Sequence, residues 1–66
     1  MDTKQLVKAA NDSVERGSRL VLNMDTCRRL ALSYVAQWIA NQDELTVGTA
    51  KRAADAVGIL NDQWRD

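Results

Sequence analysis

The chain has 66 residues, 45% of them apolar, and its nine Lys and Arg are balanced by nine Asp and Glu. A formal net charge of zero leaves no global field to draw in DNA, an anionic membrane surface or an acidic substrate, so any polyanion contact has to come from a local patch. One cysteine and no histidine exclude an intramolecular disulfide, the usual zinc spacings and imidazole acid–base chemistry.

This length predicts one domain over 1–66, with a thin core: a chain this short buries only about 60% of the surface it exposes when unfolded. No basic leader followed by an apolar run opens it, and even the apolar stretch 30–40 is broken by Ser33 and Gln37. That is far short of the roughly 20 apolar residues a membrane span needs. The expected location is the cytoplasm, away from the membrane.

In chain order, Asp2 and Gln5 form a capping-box pattern, and Leu6, Ala10 and Val14 then recur at four-residue spacing with Val7 and Ala9 beside them. That pattern predicts a first helix over about 3–16. Gly17 is read as its stop, in the left-handed conformation that a residue without Cβ adopts readily, with Arg16 favourably placed at the negative end of the dipole. Residues 18–23 are expected to be an ordered connection.

Asn23 or Asp25 is expected to cap a second helix reaching about residue 41, with Leu22 and Cys27 spaced as a hydrophobic staple. Cys27, Ala31, Tyr34, Val35 and Trp38 supply its apolar stripe, widened by Leu30 and Ile39, which marks this as the central helix and the largest contributor of buried surface. After the polar turn of Gln42, Asp43 and Glu44, Thr46 is the expected cap of a third helix, with Leu45 as its staple residue. Ala50, Ala53, Val57, Leu60 and Trp64 follow a 3-4-3-4 spacing, the seam of close helix packing. Gly58 either closes this helix after Val57 or sits inside it at a cost of about 1 kcal/mol relative to alanine. The fold class predicted is all-α: a small three-helix bundle, or a helical hairpin with an additional helix.

The run Thr-Ala-Lys-Arg-Ala-Ala-Asp-Ala-Val-Gly-Ile over 49–59 resembles the first helix and turn of a bacterial helix-turn-helix, with Ala54 and Gly58 four apart and Ile59 after the glycine. The resemblance covers about a sixth of the chain and implies a turn at Gly58 with a DNA-reading helix beyond it. Only 60–66 remain, where a recognition helix needs two to three turns, so the family is not assigned.

No residue set predicts catalysis, a cofactor or a metal. Cys27 lacks a base to hold it as thiolate and reads as a small apolar group on a helix stripe. Asp43 and Glu44 read as turn residues at the positive end of the third helix. The basic pairs Arg28-Arg29 and Lys51-Arg52 read chiefly as solvated faces, and as a basic patch if packing brings them to one side.

Stability directs the functional expectation. Below about 70 to 80 residues a lone core seldom supplies more than about 3 to 5 kcal/mol, and with disulfides and metals excluded, association is the remaining support. The sequence therefore predicts a non-enzymatic interaction protein that binds and modulates another protein. It is expected to be a homodimer through the seam Ala50, Ala53, Val57, Leu60 and Trp64, in the manner of small bacterial or phage regulators and inhibitors. The alternative is a DNA-binding regulator using the helix around 47–58 and the basic pairs.

Overall fold

A computed structural model describes residues 1–17 and 23–65. Its elements are three helices, α1 (Thr3–Gly17), α2 (Met24–Ala40) and α3 (Val47–Gln63), each packed against the other two. The bundle is the three-helix form of the expected class, and no strand occurs among the described residues.

Each helix starts where a side chain satisfies the free N–H groups of the first turn. The Asp2 and Gln5 backbone N–H groups donate to each other's side-chain oxygens at 2.9 and 2.8 Å. Asn23 Oδ1 accepts from the N–H groups of Asp25 and Thr26 at 2.8 and 3.3 Å, so Asn23 rather than Asp25 is the cap of α2. At α3 the reciprocal pair is Thr46 and Thr49: Thr49 N–H donates to Thr46 Oγ1 at 3.2 Å, and Thr46 N–H donates to Thr49 Oγ1 at 3.0 Å. Threonine here plays the part usually taken by Glu or Gln at the third helical position.

Among the described residues the core consists of Leu6, Val7 and Ala10 from α1, Ala31 and Val35 from α2, and Ala53, Ala56 and Leu60 from α3. Half of these are alanines, whose small side chains let the helix axes approach closely. Val14, Leu32, Tyr34, Trp38, Ile39, Val57 and Trp64 pack against this centre with part of their surface in water. Among the described residues the largest fully buried side chains are Leu6, Leu60 and Val35, one from each helix. The aromatic residues of α2, Tyr34 and Trp38, pack against the core with part of their surface in water.

Three local expectations are corrected. α1 includes Gly17 as its last residue, and among the described residues no glycine has positive φ, so Gly17 ends α1 without the left-handed turn. α3 passes through Gly58 to Gln63 without interruption; the turn implied by the helix-turn-helix resemblance is absent. Leu45 is 67% exposed and staples nothing, because the residue it would meet one turn into α3 is Ala50, itself small and exposed. The staple at Leu22 and the connection 18–22 lie outside the described residues.

Candidate interaction surfaces

The buried face of α3 is rotated from the one its apolar spacing suggested. Thr49, Ala53, Ala56 and Leu60 face the core, while Ala50 is exposed. Thr49 displaces Ala50 because its hydroxyl is satisfied locally, donating to Thr46 O at 2.9 Å, which leaves the methyl group free for burial at little cost. Of the five seam residues, Ala53 and Leu60 are in the core, Val57 and Trp64 pack against it, and Ala50 faces water. The chain's own helices therefore occupy most of the face expected to meet a second copy.

The basic pairs are divided between two ends of the bundle. Arg28 is half-buried, and its Nη2 donates to the main-chain carbonyl of Trp64, the residue that caps the C-terminus of α3. A cation at that position neutralises the negative end of the helix dipole. Lys51 and Arg52 are exposed and precede Trp64 by 13 and 12 positions on the same helix. At 1.5 Å per residue this separates them from Arg28 by roughly 18–20 Å. Arg29 is exposed, but with Arg28 engaged in the fold the four side chains form no common patch.

Cys27 lies near the start of α2, free and half-buried rather than in the core. Asp43 and Glu44 are exposed in the turn before α3. Among the described residues no group of three or more His, Cys, Asp or Glu is placed to hold a metal ion. No helix among them is long and apolar enough to cross a membrane.

Two surfaces stand out that the sequence did not single out. The first is the turn between α2 and α3, where Leu45 is 67% and Val47 87% exposed on either side of Thr46. The capping box of Thr46 and Thr49 fixes the backbone that carries both side chains, and Gln42 Nε2 donates back to Trp38 O at 2.9 Å, tying the start of the turn to the end of α2. Two large apolar groups are thus presented to water from ordered backbone. Their exposure has no local sequence signal, because the same Leu-Thr-Val pattern is expected in a stapled helix start.

The second surface runs along the junction of α1 and α3. Lys4, Val7, Lys8 and Asn11 of α1, with Ile59 and Gln63 of α3, line a depression of about 430 Å³. A neighbouring one of about 500 Å³ is lined by Thr3 and Lys4 together with Ala54, Asp55, Gly58, Ile59 and Asp62. Asn11 Nδ2 donates to Gln63 Oε1 at 3.3 Å across the junction. Because Lys4 lies beside Gly58 and Ile59, and Asn11 beside Gln63, the two helices run in the same direction here.

No protein family, curated protein sequence or solved structure was found to match the chain.

Proposed function

We propose that this chain is a non-enzymatic interaction protein that binds another protein and modulates it, through the turn that presents Leu45 and Val47. The observation that carries the reading is their exposure, 67% and 87%, on either side of Thr46, which is joined to Thr49 by reciprocal capping bonds. Large apolar side chains exposed to water gain from being covered, and a helix start already ordered by its cap lowers the ordering entropy lost when a partner covers them. The residue inventory supports the non-enzymatic part: without histidine, and with a single, half-buried thiol, the chain has few groups suited to proton transfer or nucleophilic attack near neutral pH. A nucleic-acid role has less support, since the four basic residues named for it lie at two ends of the molecule.

The test is affinity capture from cells of the source organism with the wild type and with a Leu45→Asp/Val47→Asp variant. One stoichiometric protein retained by the wild type and lost by the folded variant is the expected result. Capture unaffected by the variant overturns the assignment of this turn, and retention on heparin that disappears at modest salt, without protein capture, favours the nucleic-acid alternative.

A further inference from the structure

The junction of α1 and α3 is polarised across its width. Its α1 bank carries Lys4 and Lys8, its α3 bank carries Asp55 and Asp62, and Lys4 and Ile59 border both depressions. Among the described residues Lys4, Lys8 and Asp55 have no ion pair within the chain, while Asp62 has only an exposed contact with Arg65 at 3.5 Å. Between the banks the floor is low and apolar, formed by Val7, Ala54 and Gly58, with Ile59 rising from it at 38% exposure. A Cβ built on Gly58 meets nothing within 4 Å, so the chain's own packing does not require a glycine there.

We propose that this face is the contact of a symmetric homodimer, with a second copy of the chain as its occupant. The argument is charge complementarity combined with the parallel course of the two helices. A two-fold axis lying in the contact plane and parallel to the helices places α1 of each copy over α3 of the other, at the same height. Lys8 then meets the partner's Asp62, and Lys4 lies between the partner's Asp55 and Asp62. Each of these pairings occurs twice. Ile59 of each copy enters the depression beside the partner's Val7, and the absence of a side chain at Gly58 leaves room for the approach. An in-plane axis perpendicular to the helices would instead set lysine over lysine and aspartate over aspartate, which is repulsive. The face thus selects one arrangement of two copies and opposes the other.

This contact is separate from the Leu45 and Val47 turn: Val47 and Gly58 are 11 residues apart on α3, roughly 16 Å along the helix. Failure of self-association therefore leaves partner capture by that turn standing, and failure of capture leaves the dimer standing.

The experiment is sedimentation equilibrium from micromolar to near-millimolar protein at low and high salt, on the wild type, Lys4→Glu/Lys8→Glu, Asp55→Lys/Asp62→Lys, an equimolar mixture of these two variants, and Gly58→Gln. Circular dichroism establishes that each is helical. The wild type is expected to move from one-chain to two-chain mass with concentration, less readily at high salt. Each reversal should weaken self-association by roughly tenfold or more, because it replaces both sets of attractive contacts with repulsive ones. The mixture should regain two-chain mass, since a heterodimer of the two variants restores opposite charges at both contacts. Gly58→Gln alters no charge and should remain a folded single chain. A wild type that stays one chain throughout overturns the proposal and leaves the face to a different protein. Reversal variants or Gly58→Gln that self-associate as the wild type does, or two folded reversal variants that fail to pair, overturn it also.

Discussion

The guanidinium of Arg28 donates to the carbonyl of Trp64, joining the opening of α2 to the end of α3 across 36 positions of sequence. The last carbonyls of a helix have no partner within it, and a cation there meets both the hydrogen-bonding need and the dipole. Arg28→Ala should therefore destabilise the fold by about 1–2 kcal/mol, the range for a charge-assisted bond that is partly solvated. Arg29, exposed one residue later, should change stability by less than about 0.5 kcal/mol when replaced by alanine. Urea denaturation of the two variants checks the contrast, and equal losses would show that Arg28 has no special role.

Gly58→Ala should stabilise the single chain by about 0.5–1 kcal/mol. The residue is helical and its φ is not positive, so a methyl group costs no strain and removes backbone freedom from the unfolded chain. Melting at low micromolar concentration is the measurement, so that self-association does not contribute. A lower melting temperature would mean that the backbone at Gly58 is not helical.

The start of α3 depends on two hydroxyls that hold each other's backbone. Thr46→Ala should cost about 1 kcal/mol. Thr49→Val keeps the shape of a buried side chain but removes the acceptor for Thr46 N–H and the donor to Thr46 O, and should cost a similar amount. The double variant should lose less than the sum, because the bonds belong to one network. A full double-mutant cycle by chemical denaturation tests this, and strict additivity would argue against reciprocal capping.

Leu6→Ala and Leu60→Ala should each cost about 2–5 kcal/mol, since both side chains are completely buried and neighbouring helices can only partly close the cavity. Losses of that size approach the whole stability of a domain this small. Cys27→Ala, removing a small half-buried group, should stay within about 1 kcal/mol. Loss of helical circular dichroism at 25 °C in the leucine variants and its retention in Cys27→Ala are the expected readings.

Legibility from sequence followed the range of the interactions concerned. The caps at Asp2, Asn23 and Thr46 were readable because every partner is within three positions, and three strongly patterned segments became three helices. On α3 the apolar spacing points to Ala50 where Thr49 is buried instead, because Thr49 hides its polarity against Thr46; Ala53 and Leu60 are in the core as the spacing implies. Gly17 and Gly58 were ambiguous in principle, since the freedom of glycine permits a turn without requiring one. The Arg28 bond and the two banks of the α1 and α3 junction join residues tens of positions apart, and periodicity within one helix carries no information about which residues another helix brings alongside.

The four alanines that the described residues place in the core give the molecule a one-sided tolerance to substitution. At Ala10, Ala31, Ala53 and Ala56, which are between 0% and 8% exposed, nearly every replacement is larger, and tightly packed helices can admit it only by moving apart. A saturation library would consequently find these modest positions more restrictive than leucine sites, where isoleucine and methionine remain available. The route by which such a chain diversifies is its outer faces, because at these four of the eight core positions among the described residues there is no smaller residue to exchange except glycine.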